Sequence, residues 1–305
     1  MRKGQKFTPT KIRNWRKLGR GTGFLSAYEP WHQVTRGDPS SRGRSQLAQW
    51  AHTSRSHHFL SDGESDVFAF ITMLPNIEDV REQVPLSLHE HAPELAAYSI
   101  LYSQEPMPGT LACAKQLNIR HPKVRKNSDV ESWVMTTDFL VTFKIAHGKY
   151  ELLAISVKPD SDLNSPRVRQ LLQLEKAYWN AQGIEWLLIS PSLYQKNVRL
   201  TVRMALPWGL PKQAQDAVPL AHVVSCANQA SEFQGKALTE CLYLICSALQ
   251  VSLEYAQRTF WQAVWKGLLR LDLARSSWPS DPIIILDPDR FREQNPIAAR
   301  RSICI

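Results

Sequence analysis

The stretch that decides the fold runs from residue 134 to residue 159, VMTTDFLVTFKIAHGKYELLAISVKP. Two segments of it, Val134 to Ile145 and Tyr150 to Val157, are rich in β-branched and apolar residues, which favour strands. His147-Gly148 separates them as a turn. The stretch therefore predicts two neighbouring strands joined by a short connection.

Patterns on both sides of this pair predict an α/β core. Ser61 starts an apolar pattern with helical spacing that Pro75 ends, and Ser165-Pro166 is a second helix start, with proline at the first helical position. The predicted order is helix, strand, strand, strand, helix, strand. Besides the strand pair and the helix that starts at Ser61, it contains a strand from Ile77 to Val84, a helix from Pro166 to about Gln182 and a strand from Trp186 to Ser190. A long connection over 86–122 contains a short helix after Thr110.

A chain of 305 residues is long enough for two domains. Beyond the core, two helical patterns, one from Leu238 to Leu249 and one from Leu253 to about Gly267, are followed by two strand-like pieces at 268–273 and 282–286. This order suggests a winged-helix-like domain that is mostly helical. The predicted divisions are a basic arm over 1–18, a catalytic domain over 19–190, a boundary or linker over 191–210, the winged-helix-like domain over 211–290 and a tail over 291–305.

Composition excludes several classes of protein. No apolar run approaches the roughly 20 residues that cross a bilayer, and the basic N-terminus lacks the apolar stretch of a secretory signal. The five cysteines are scattered without a CxxC pair, which favours a reducing compartment over a disulfide scaffold. We expect a soluble, cytoplasmic protein without a membrane partner.

Positive charge is concentrated at the N-terminus. Residues 1–60 hold 12 Lys and Arg against two acidic residues, although the whole chain carries only +9. Such a basic segment is typical of nucleic-acid binding, and the alternative is a disordered, solubilising tail. Gly19-Arg20-Gly21-Thr22-Gly23 is predicted to be a flexible basic loop. Candidate DNA-binding residues are Lys17, Arg20, Arg42 and Arg44.

Asp138, inside the first strand of the pair, and Lys158, at the end of the second, can lie close together. Carboxylate oxygens suit Mg²⁺, and a lysine beside a metal can orient or help deprotonate a water molecule and stabilise charge on a phosphate. The alternative is an ordinary ion pair at a strand end.

Two glutamates are further candidates. Glu64 follows Ser61 with the spacing of a capping box, so it either closes a helix N-terminus or supplies a second metal ligand. Glu175 lies on the apolar stripe of the 166–182 helix, where a charge needs a partner. That partner is either a metal site or a neighbouring Arg or Lys.

Taken together, these residues resemble the TnsA endonucleases of heteromeric cut-and-paste transposons. The similarity covers about residues 19–190. The blocks that carry it, in order, are GRGTG at 19–23, Tyr28-x-Pro30-Trp31, SRGRS at 41–45, HHFLSDGE at 57–64, VREQVPL at 80–86, His121-Pro122, TTDFLV at 136–141, SVKP at 156–159 and EKAYW at 175–179.

The resemblance implies the restriction-endonuclease-like fold of the PD-(D/E)xK nucleases. It makes Glu64 and Asp138 metal-binding carboxylates, Lys158 the catalytic lysine and Glu175 a carboxylate near the site. The signature position usually held by Glu, Asp or Gln is Ser156 here. We therefore expect Ser156 to act through a water molecule, or the Val157 carbonyl to complete the metal ligands.

The resemblance also implies a function. Family members use Mg²⁺, and Mn²⁺ is expected to substitute, to cut the non-transferred strand at transposon ends. A DDE-type transposase cuts and joins the other strand, and an AAA+ regulator contacts the C-terminal part of the nuclease. Two alternatives stay open, a stand-alone restriction-type nuclease and a DNA-binding adaptor whose site has decayed.

Overall fold

The computed structural model describes residues 7–35, 44–99, 102–275 and 278–305. The helices of these residues are α1 Pro9–Lys17, α2 Asp62–Thr72, α3 Thr110–Gln116, α4 Pro166–Ala181, α5 Lys196–Gly209, α6 Leu220–Asn228, α7 Ala230–Phe233, α8 Leu238–Leu249, α9 Leu253–Trp265 and α10 Pro288–Gln294. The strands are β1 Gln46–Trp50, β2 Arg55–Phe59, β3 Ile77–Pro85, β4 Lys123–Lys126, β5 Asp129–Ser132, β6 Thr136–Lys144, β7 Tyr150–Val157 and β8 Glu185–Ile189.

A four-stranded sheet in the order β3-β6-β7-β8 forms the centre. The first three strands are antiparallel, whereas β8 runs parallel to β7 because helix α4 carries the chain back across the sheet. The α/β class and the predicted order α2, β3, β6, β7, α4, β8 are confirmed. The start of β6 and the end of β7 lie at the same edge of the sheet.

The two faces of the sheet bury different apolar clusters. Helix α4 covers one face with Tyr178 and Trp179, both fully buried. The other face packs on α2, and its cluster continues without a break into the C-terminal helices. Trp265 Nε1 of α9 donates to Thr72 Oγ1 of α2 at 3.0 Å, so the C-terminal part shares one core with the sheet.

The prediction of a linker over 191–210 is wrong, because residues 196–209 form helix α5. Pro207 lies inside its last turn. Val198 and Val202 are buried, and α5 packs against both α2 and α9. Packing of this apolar face outweighs the backbone hydrogen bond that Pro207 cannot donate.

The C-terminal region is helical as predicted, with α8 and α9 over the two expected segments. In the described part of the chain, the two predicted strand pieces at 268–273 and 282–286 meet only in an isolated bridge between Leu271 and Ile285. The tail is not free either. Ile297 is buried, and Ile303 N donates to Leu188 O at the outer edge of β8.

The prediction of a basic arm over 1–18 is wrong for residues 9–17, which form helix α1. Ile12 and Trp15 are buried, and Trp15 packs edge-on against Trp31. Sequence analysis missed this helix because only three of its nine residues, Pro9, Ile12 and Trp15, are buried and the rest are polar. The loop after it is not loose, since a side chain at Gly21, where φ is +78°, would collide with Pro85.

None of the helices in the described ranges is long and apolar enough to span a lipid bilayer.

Candidate active site

Asp138 and Lys158 meet at the edge where β6 begins and β7 ends. Asp138 Oδ2 accepts hydrogen bonds from Val157 N at 2.6 Å and from Lys158 Nζ at 3.0 Å. Lys158 Nζ also donates to the Val157 carbonyl at 2.9 Å. The ion pair considered from sequence does form. It lies in a recess rather than on an open surface, because Asp138 is buried and Lys158 is 32% exposed.

Glu64 enters the same site from the first turn of α2. Gly63 brings this turn against β7, where a Cβ added to the glycine would lie 3.3 Å from Val157 Cγ1. Glu64 Oε1 accepts from Ser61 Oγ and Oε2 accepts from Leu60 N, while Ser61 Oγ caps Glu64 N. Glu64 therefore closes the helix N-terminus and also faces the site, so the two roles weighed from sequence do not exclude each other.

The electrostatics of the site show that negative charge accumulates there. Burial, and then the nearby Asp138 charge, raise the pKa of Glu64 to about 7. Burial alone would lower the pKa of Lys158, but its carboxylate neighbours, Asp138 foremost, raise it above its ordinary value. Lys158 is consequently a protonated cation at neutral pH, and a second cation would relieve the repulsion between the two carboxylates.

Sequence analysis missed Gln83, which holds Glu64 in place. Gln83 Nε2 donates to Glu64 Oε2 at 3.0 Å, and the side chain is buried. Its φ is +51°, in the left-handed region that residues other than glycine rarely adopt. The residue lies in β3 between the pairs Glu82–Phe139 and Val84–Thr137, opposite Asp138. A buried, conformationally unusual glutamine beside a carboxylate indicates a positioning role.

Glu175 and Ser156 form a separate buried group under α4. Glu175 Oε1 accepts from Thr137 Oγ1 at 2.6 Å and from Ser156 Oγ, whose hydroxyl in turn accepts from Trp186 Nε1 at 3.1 Å. Glu175 makes no ion pair with any residue that the structure describes. Burial raises its pKa to about 7, and the Lys158 charge opposes that rise. The Ser156 hydroxyl thus supports Glu175 beneath the site.

Other predicted residues lie elsewhere. Lys17 and Arg44 are exposed, whereas the Arg20 guanidinium stacks on Trp15 at 4.9 Å from the ring centroid. Arg42 lies outside the described residues. Within the ranges that the structure covers, no three His, Cys, Asp or Glu side chains are placed to hold a metal without other donors. A metal bound by Glu64 and Asp138 would need a carbonyl, water or phosphate oxygen as well.

Two comparisons with known proteins bear on this site. Residues 97–191 match the family model described as TnsA-like endonuclease N terminal. The transposon Tn7 transposition protein TnsA of Escherichia coli is 30% identical over 226 residues, which span 72% of this chain and 71% of that protein. The chain belongs to the TnsA endonuclease family.

The matched range in the TnsA family model places Asp138, Lys158 and α4 within the endonuclease domain. Glu64 and Gln83 precede that range in the sequence, but in the structure they lie beside Asp138 and Lys158. TnsA membership confirms the resemblance found in the sequence blocks and identifies a transposition endonuclease.

Proposed function

We propose that the protein cleaves one DNA strand at each end of a transposon with a divalent metal at the Glu64–Asp138–Lys158 site. The observation that carries this proposal is the convergence of Glu64, Asp138 and Lys158 at one recessed sheet edge. Support for a restriction-endonuclease-like core comes from the sheet with α2 and α4 on its two faces. The C-terminal helices are proposed to form a winged-helix-like unit.

The residues present fit Mg²⁺, with Mn²⁺ as a substitute. Glu64, Asp138 and the Val157 carbonyl supply only oxygen, the donor that hard cations prefer. Carboxylate repulsion, which contributes to the raised pKa of Glu64, is what a bound cation would remove. When bound, such a metal would activate water and neutralise charge on the phosphate.

Lys158 is proposed to act as a fixed positive charge. Its hydrogen bonds to Asp138 Oδ2 and to the Val157 carbonyl fix the ammonium at the sheet edge. Because these neighbours keep it protonated, it is suited to stabilising negative charge on the phosphate and is a poor acceptor of a proton from water. Of the two roles considered from sequence, charge stabilisation therefore has the better support.

We further propose that the cut falls on the non-transferred strand and that a DDE-type transposase processes the other strand. An AAA+ regulator is proposed to contact the C-terminal region. These assignments rest on membership of the TnsA family. They predict that loss of this site alters the product of transposition and does not abolish transposition.

The test is to sequence insertion junctions in cells that carry Lys158→Ala with the partner genes intact. The transferred strand would still be cut and joined, but the element would stay attached to its donor. Replication across that branched product would yield donor–target cointegrates in place of simple insertions. If simple insertions made up the same fraction of products as in the wild type, the non-transferred strand would have to be cut by a different active site.

A further inference from the structure

A concave basic surface lies beside the start of α4, outside the catalytic group. We call it the basic cleft, and the residues that line it are Arg120, His121, Pro122, Lys123, Arg125, Arg167 and Gln170. Of the described residues, none that lines the cleft is acidic. Four cationic side chains thus converge on one recess.

Among the residues that the structure describes, no acidic side chain neutralises these charges. Within the described ranges, no carboxylate lies within ion-pair distance (4.0 Å) of Arg120, Lys123, Arg125 or Arg167, although Arg167 donates to the Arg120 carbonyl at 2.6 Å. Burial, followed by the charges of Arg167 and Lys123, lowers the pKa of His121, which also lines the cleft. Gathering uncompensated like charges costs free energy, which a polyanionic ligand would recover.

The acidic residues of the neighbouring strand lie on the other face of the hairpin and do not line the cleft. Asp129 and Glu131 of β5 lie opposite Lys126 and Val124 of β4, so their side chains leave the face opposite to that of Lys123 and Arg125. Arg13 of α1 pairs with Asp129 at 2.6 Å, and Arg16 pairs with Glu131 at 2.5 Å. The acidic groups of the hairpin therefore pair with helix α1 on one face, whereas Lys123 and Arg125 of β4 are exposed on the other.

The cleft lies at the same edge of the sheet as the catalytic residues. The β4–β5 hairpin leads through residues 133–135 into the start of β6, and α4 begins shortly after the end of β7. Lys123 and Arg125 are two residues apart on one strand, so their side chains leave the same face about 7 Å apart. A row of cations suits a row of phosphates better than it suits a single small anion.

We infer that the basic cleft binds the sugar–phosphate backbone of duplex DNA beside the point of cleavage. The inference rests on the proposed nuclease function for its ligand. It also changes the assignment of the N-terminal charges, because Arg13 and Arg16 pair with β5 and do not line the cleft.

The test compares Lys123→Gln/Arg125→Gln with a matched control, Lys144→Gln/Lys149→Gln. The control removes the same charge from exposed positions at the opposite edge of the sheet. Binding of a fluorescent duplex is measured by anisotropy with EDTA present, over a series of NaCl concentrations. Each lost phosphate contact lowers the log–log salt slope by about 0.9, so the cleft variant should lose up to about 1.8. The control should keep the wild-type slope.

Melting curves show that both variants are folded before slopes are compared. A cleft variant with the wild-type slope, or a control that loses as much, overturns the inference. If the wild-type protein nicks DNA but the salt slope of the cleft variant equals that of the wild type, the proposed DNA-binding role of the cleft is wrong and the nuclease assignment stands. If the slope falls as expected but no divalent metal supports cutting, the nuclease assignment fails and the cleft stands.

Discussion

At the scale of single residues, the position of Glu64 depends on Gln83. Gln83→Ala removes the amide that donates to Glu64 Oε2, so the carboxylate is no longer held toward the site. We expect cleavage to slow on the order of tenfold, or about 1.4 kcal/mol, and to need more Mg²⁺ for half-maximal rate. Asn76→Ala is the matched control. Asn76 also has a positive φ, +58°, but it immediately precedes the start of β3, at the end of the strand away from the site. Equal metal dependence in Gln83→Ala and the wild type would refute the positioning role.

In the metal-free protein, Glu175 makes the free energy of unfolding depend on pH. Its pKa rises from an ordinary 4.5 to about 7 in the folded state, so its stabilising contribution is complete below pH 4.5 and is lost as pH rises through 7. Relative to Glu175→Gln, which does not titrate, the wild type should lose on the order of 3 kcal/mol of unfolding free energy between pH 4 and about 8. Urea titrations with EDTA measure this, and a constant difference across that range would contradict the account.

The sequence identified Glu64, Asp138 and Lys158 but missed Gln83. The first three belong to motif blocks whose spacing is visible in one chain. A glutamine inside a strand has no such signature, and its importance comes from a backbone conformation and a contact 19 residues away. Helical spacing predicts that Glu175 is a buried charge. It does not show that the partners of Glu175 are the hydroxyl groups of Thr137 and Ser156.

At the scale of elements, α1 contributes to stability and is not a mobile arm. Trp15 is 3% exposed and packs in a cluster with Ile12, Trp31, Val124 and Val134. Trp15→Ala should cost about 3–5 kcal/mol of unfolding free energy, as a large buried aromatic does. The exposed Lys17→Ala on the same helix should stay within about 0.5 kcal/mol. A Trp15→Ala protein as stable as Lys17→Ala in urea denaturation would restore the arm interpretation.

The predicted elements are those with long apolar patterns or clear caps, namely α2, β3, β6, β7, α4 and β8. The hairpins β1–β2 and β4–β5 were missed because their short strands are mostly polar, with buried side chains confined to a few positions. The local signal for helix α5 is weak because Pro207, in its last turn, is a residue that usually ends helices. In each case tertiary packing outweighs the local signal.

At the scale of the whole molecule, the C-terminal helices and the sheet share one core. Besides the Trp265–Thr72 hydrogen bond, Asn295 Nδ2 donates to the Phe70 carbonyl at 2.8 Å, and a side chain at Gly209 would collide with Trp265. Calorimetry should therefore show a single cooperative transition, and Trp265→Ala should lower its midpoint as a whole. Two transitions, with only one shifted by Trp265→Ala, would restore the two independent domains expected from chain length.

The most direct measurement of the central claim is strand cleavage at a labelled transposon end by wild-type protein, Asp138→Ala and Glu64→Ala, in Mg²⁺ with the element's transposase present. Each substitution removes a carboxylate that is proposed to bind the metal, so we expect cleavage of the non-transferred strand to be abolished. Duplex binding should be nearly unchanged, and the melting temperature of Asp138→Ala should stay within about 2–4 °C, or under about 1 kcal/mol. Glu64→Ala also loses the hydrogen bonds that close the N-terminus of α2, so it should cost about 0.5–2 kcal/mol of unfolding free energy and remain folded. Full cleavage of that strand by folded Asp138→Ala protein would contradict the assignment of the active site.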